Sequence, residues 1–157
     1  MLFRSSERYL ALQKSLHPDN FVTADAQEQR IAMQKSTEVN DALKTLKDPI
    51  LRAEAIIALN TGKTQDLEQK STQDVTFLMQ QLEWREELEN IEQSQDENAL
   101  ESFAKRVKKE TKEMLTALEA QLNEQQWLTA AQFCDKLRFL KKLADEISQV
   151  EERLFEL

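Results

Sequence analysis

Apolar residues recur along this chain at helical spacing, and no stretch alternates with the two-residue period of a strand. Tyr9, Leu12 and Leu16 mark a first amphipathic helix from about Phe3 to Leu16, with Arg4, Arg8 and Lys14 among its polar positions. Pro18 disfavours the α region at His17 and cannot donate a helical hydrogen bond, so this helix should stop there. His17, Pro18 and Asp19 are then left on an exposed bend. Thr23 and Asp25 supply start signals for a second helix whose seam is Ala32, Ser36, Val39, Leu43 and Leu46. Two such helices joined by a tight loop predict an antiparallel pair.

Asp48-Pro49 reads as a cap and first residue of a third helix through Leu51, Ala55, Ile56 and Leu59, which Gly62 is placed to end. The polar stretch 63–72 reads as a linker. Three longer helices are predicted beyond it, at 74–93, 97–122 and 126–155. Ser94-Gln95-Asp96-Glu97 has the form of a capping box, and residues 123–126 are assigned the same duty before the last helix. Phe103, Val107, Met114 and Leu118 form one stripe, and Phe133, Leu137, Leu140, Ala144, Ile147 and Leu154 another. Short connections between them predict a three-helix bundle.

The helix at 74–93 has two apolar faces. On a wheel of about 100° per residue, Phe77, Trp84, Leu88 and Ile91 share one side. Val75, Leu78, Met79 and Leu82 gather on the other, bordered by Glu83, Glu86 and Glu89. One small bundle cannot bury both, so the second face is a contact surface, with the apolar centre and polar rim of a protein-binding patch. Its bland alternative is packing against the N-terminal unit. Phe139 lies off the centre of its own helix's stripe and is expected beside the patch.

Composition agrees with an all-α chain. One glycine and two prolines leave few turns, and 40% hydrophobic residues suffice for a core with none to spare. Cys134 stands alone, which excludes an internal disulfide or a cysteine metal cluster, and it reads as a small buried hydrophobe. The longest apolar run, Ala55 to Leu59, is far short of a membrane span, and the start lacks a secretory signal, so a soluble cytoplasmic protein is expected. The net charge of −8 is concentrated in residues 74–101, where nine acids face only Arg85. That surface repels nucleic acid and suits a basic protein partner. The run Lys105-Arg106-Val107-Lys108-Lys109 reads as a solvated, ion-pairing helix side. With one histidine, no thiol pair and no phosphate loop, catalysis by the chain itself and a resident cofactor are not expected.

Taken together, the basic helix, His17-Pro18-Asp19 and the closing sequence Val39-Asn40-Asp41-Ala42-Leu43-Lys44-Thr45-Leu46-Lys47-Asp48-Pro49 resemble a J-domain. Arg52-Ala53-Glu54, Phe77-Leu78-Met79 with Leu82-Glu83, Glu101-Ser102-Phe103, Arg106 to Lys109 and Lys136-Leu137-Arg138-Phe139-Leu140 extend the resemblance to the HscB family, J-domain co-chaperones of iron–sulfur cluster assembly.

The resemblance implies a J-domain over 1–62, a linker at 63–72 and a scaffold-binding three-helix domain over 73–157. It also implies that His17, Pro18 and Asp19, supported by Arg8 and Lys14, engage the DnaK-class chaperone HscA and stimulate its ATPase. Leu78, Met79, Leu82, Glu83 and Glu86, with Phe139 beside them, are implied to bind the cluster scaffold IscU. J-domains of this family carry a further short helix packed over the hairpin. Met1 falls at the edge of the second family helix, so an N-terminally shortened, less firmly held J-domain is expected. Asn20 replaces a common lysine, and Asn90 stands where an acid would extend the rim. The alternative from another class is a helical adaptor in which the His-Pro-Asp bend is only a turn.

Overall fold

The computed structural model describes residues 2–62 and 74–155, so the expected linker at 63–72 lies outside the described residues. Within these limits the protein is all-α, with no strands and six helices: α1 (Leu2–Leu16), α2 (Ala26–Lys47), α3 (Pro49–Thr61), α4 (Val75–Ser94), α5 (Glu97–Asn123) and α6 (Trp127–Phe155). A short 3₁₀ turn, Pro18–Phe21, lies between α1 and α2. The chain divides into two compact units, residues 1–52 and 53–157.

In the first unit α1 and α2 pair antiparallel, since Tyr9 meets Asn40 while Gln13, one turn on, meets Ser36, one turn back. The contact is more polar than the seam suggests. The Tyr9 hydroxyl and the Gln13 amide both donate to Asn40 Oδ1 at 2.6 Å, and the Ser36 hydroxyl donates to Gln13 Oε1 at 3.1 Å. Asp25 caps α2 by accepting from the Glu28 amide at 2.8 Å.

Ala32 and Ser36 are the buried positions of this unit, whereas Leu10, Leu12, Ile31, Met33 and Leu46 are exposed. So thin a core predicts easy local opening. Amides of 5–46 should exchange faster than those of α5 and α6 by mass-spectrometric hydrogen exchange. Equal protection would contradict that expectation.

The division between units falls inside α3, ahead of the polar stretch 63–72. Asp48 caps α3 through the Ile50 and Leu51 amides, and Gly62, at φ +69, closes it by donating to the Ala58 carbonyl at 2.9 Å. Its buried face is Ala53 and Ile57 rather than the line through Leu51, Ala55 and Leu59; Leu59 is 85% exposed. That offset face turns α3 into the second unit, where Glu54 ion-pairs with Arg138 of α6.

The bundle runs up, down and up. The two-residue connection between Ser94 and Glu97 makes α4 and α5 antiparallel neighbours, joined by Trp84 packing edge-on to Phe103 at 6.0 Å and by the Arg106–Glu87 pair. Arg85–Glu146 and Glu92–Arg153 pairs set α4 parallel to α6. Phe103, Val107, Leu118, Leu137, Leu143 and Ile147 fill the centre. Replacing Phe103 by alanine would cost about 3–5 kcal/mol on the scale of buried aromatic truncations.

The two connections form differently from the expected capping boxes. Asp96, not Ser94, caps α5, accepting from the Ala99 amide at 3.0 Å, while the Ser94 hydroxyl turns back to the Ile91 carbonyl. After α5, Gln125 takes φ 59 and the Gln126 amide donates to the Gln121 carbonyl at 2.9 Å, a Schellman closure rather than an N-terminal cap.

Candidate functional site

The His-Pro-Asp bend is built by its own sequence and fastened from both flanking helices. His17 is extended at φ −57, ψ 134, as the residue before proline must be, and Pro18 opens the 3₁₀ turn. The His17 carbonyl accepts from the Asn20 amide at 3.0 Å. His17 Nδ1 lies 3.3 Å from the Asp19 amide and 3.4 Å from Asp19 Oδ2. A neutral ring accepts from the amide through Nδ1 and carries its proton on Nε2, whereas a protonated ring donates to the carboxylate. It cannot do both at once. The two side chains remain open to solvent, at 54% and 87% exposure.

Residues outside the motif hold this loop. The Asn20 side-chain amide donates to the Lys14 carbonyl, satisfying one of the orphan acceptors in the last turn of α1. Gln29, from the first turns of α2, places Nε2 within 3.0–3.2 Å of the Phe21, Val22 and Ala24 carbonyls. Position 20 therefore lacks the lysine charge but takes up a structural bond. Arg8 and Lys14 are both exposed on α1. Neither Gln13 nor Gln29 was singled out in the sequence, because an amide in a polar helical position carries no periodic signal.

The second candidate surface lies on α4. Phe77, Leu88 and Ile91 are buried and Trp84 half-buried, while Val75, Leu78, Met79 and Leu82 stay exposed, at 66%, 38%, 58% and 68%. The wheel separated these faces correctly. Glu83, Glu86 and Glu89 are exposed along the same helix. Arg85, the sole base of this stretch, is turned to α6, where its guanidinium lies 3.9 Å from Glu146 and 5.9 Å from the Phe139 ring. The exposed acids are thus left without a local base, which gives the patch a negative rim.

Phe139 is more deeply buried than its off-centre position on the helix suggests. It is 8% exposed and packs edge-on against Phe77 of α4 at 5.8 Å. Its contribution to that surface is to hold α4 from beneath. The basic run on α5 is largely spent on ion pairs, with Lys105 on Glu101, Arg106 on Glu87 and Lys109 on Glu113.

Two groups on α6, the buried Cys134 and the half-buried Asp135, have shifted pKa values. Burial pushes the Cys134 thiol up to about 12, helped by nearby Glu54, so it is an inert packing group. Burial likewise raises Asp135 to about 6; Arg138 opposes the shift and Glu54 adds to it. Because this pKa is raised in the folded state, the carboxylate costs stability above about pH 6. That cost is relieved as pH falls towards 3.8. Urea midpoints at about pH 7.5 and about pH 5 should therefore show a gain on acidification in the native chain that Asp135→Asn lacks. Equal slopes for the two proteins would contradict it.

Among the described residues no three His, Cys, Asp or Glu side chains cluster as metal ligands, and no helix is long and apolar enough to cross a membrane.

Known proteins resemble this chain over most of its length. Residues 73–148 match the family model described as the HSCB C-terminal oligomerisation domain. The co-chaperone protein HscB homolog of Haemophilus influenzae is 71% identical over 96% of this chain and 86% of its own length. The HscB homolog of Vibrio vulnificus strain YJ016 is 46% identical over 96% and 88%. The solved chaperone HscB from Vibrio cholerae superposes with a TM-score of 0.91 at 42% identity, over 96% of this chain and 89% of that one. Human co-chaperone HscB gives 0.82 at 26% identity, over 93% and 72%. With sequence and fold matched across nearly the whole chain, the protein belongs to the HscB co-chaperone family.

Proposed function

We propose that this chain is the co-chaperone that couples an iron–sulfur scaffold protein, IscU, to its DnaK-class chaperone, HscA. It performs no chemistry itself. His17, Pro18 and Asp19 act on the chaperone's ATPase, with Arg8 and Lys14 steering the encounter. Leu78, Met79 and Leu82 bury their side chains against the scaffold, and Glu83 and Glu86 orient a basic partner surface. Phe139 supports this face through Phe77. The compartment that fits these partners is the cytoplasm.

One observation carries the reading: the two exposed features occupy separate compact units, one holding the bend and the other the acidic-apolar face. A protein that joins two partners needs such a division, because tethering raises the effective concentration of one partner at the other. The test is steady-state ATP hydrolysis by the cognate HscA. The chain should raise it, and raise it further when IscU is present. No effect of the chain under either condition would refute the reading.

A further inference from the structure

α3 is the helix in which the loop-bearing hairpin's chain enters the bundle unit, yet it has little to hold it there. It spans 13 residues and buries only Ala53 and Ile57. Isolated helices of about that length are marginal in water, so its docking needs a further contact. Arg138 supplies one. Its guanidinium pairs with Glu54 of α3 through one arm, while the other arm lies 3.6 Å from Asp135 Oδ1, three residues earlier on α6.

The geometry is that of a clamp. Asp135 is on the same helix and orients the planar fork, leaving the second arm for α3. Glu54 Oε1 is buried and makes no regular hydrogen bond among the described residues, so the arginine charge is what offsets its lost hydration. Without Arg138, two carboxylates would face each other beside the buried Cys134.

We propose that Arg138 is a latch: oriented by Asp135, it grips Glu54 and keeps α3 docked on α6, which sets the length of the tether joining the loop-bearing hairpin to the bundle. If α3 is released, more residues separate the hairpin from the nearest helix held in the bundle, and the effective concentration of the loop near a bundle-bound protein falls as that separation in sequence lengthens. The docking part stands on geometry alone, whereas the consequence for the ATPase rests on the function proposed above. Arg138 is a positioning residue and touches neither partner in this scheme.

Hydrogen exchange on the full 157-residue chain reads the latch directly. Arg138→Gln and Glu54→Gln should each speed exchange of amides 53–61 about tenfold or more, with α4 to α6 unchanged. Arg138→Lys, which keeps the charge but loses the fork, should fall between them and the native chain. Unchanged α3 protection overturns the latch. So does loss of protection throughout α4 to α6, which would make Arg138 a general bundle residue.

The coupling is read with HscA and IscU. Arg138→Gln should reduce IscU's enhancement of ATP hydrolysis about threefold or more. IscU affinity and the stimulation seen without IscU should both be kept. A released α3 with undiminished enhancement overturns the tether role. If the native chain itself fails to stimulate HscA, the functional reading fails, and exchange still decides whether the latch exists.

Discussion

His17→Gln should abolish stimulation of the HscA ATPase and leave IscU affinity unchanged. The ring does two local things that glutamine cannot reproduce in the same place. It sits as the cap of the 3₁₀ turn with Nδ1 at the Asp19 amide, and its aromatic plane fixes where Nε2 is offered. Glutamine is flexible, and ordering it at the interface costs about 0.5–1.5 kcal/mol before any bond is recovered. More than half of the His17 side chain is exposed and it packs in no core, so the variant should unfold at the native temperature. ATPase rates at saturating co-chaperone, with calorimetry of IscU binding, separate the two effects. Retained stimulation would favour the adaptor alternative, in which the bend is only a turn.

Leu78→Ala combined with Leu82→Ala should have the converse effect: loss of IscU binding with scaffold-independent ATPase stimulation intact. Both side chains stand out from α4, Leu82 at 68% exposure, so shortening them opens no internal cavity and alanine keeps the helix. At a buried interface each leucine-to-alanine change removes apolar area worth about 1.5–3 kcal/mol. Together they should weaken binding about a hundredfold or more. Phe139→Ala is a poorer probe of the same surface, because it removes the edge-on partner of Phe77 and disturbs the bundle. The double variant should therefore lose affinity without losing thermal stability, and a native dissociation constant would remove these residues from the site.

The two surfaces were legible to different degrees. The bend was readable because proline acts on its immediate neighbour, and the α4 face because a helix wheel depends only on spacing. What braces the bend was not readable. Asn20, Gln29 and the Tyr9–Gln13–Ser36–Asn40 group act across a hairpin, and nothing in their spacing distinguishes them from solvated polar residues.

The burial of Phe139 was not readable for a related reason. A single-stripe reading assumes a helix with one neighbour, but α6 buries Ala131, Cys134, Leu137, Phe139, Leu143 and Val150, which do not share one narrow face. Arg85 and Arg153 pairs bring α4 to one side of it, Arg138 and Glu54 bring α3 to another, and α5 packs along its length.

By itself the sequence determined the helices, most of their ends, the position of the His-Pro-Asp bend and the two-sidedness of α4. Propensity, capping and amphipathic period are local properties, decided within a few residues of where they are seen. Only the tertiary structure decided that α3 docks by Ala53 and Ile57, that Phe139 packs edge-on against Phe77 of α4, and that Arg138 closes on Glu54. Those outcomes depend on which helix meets which, and the charge or apolar surface that settles the pairing is supplied by residues far away in the chain.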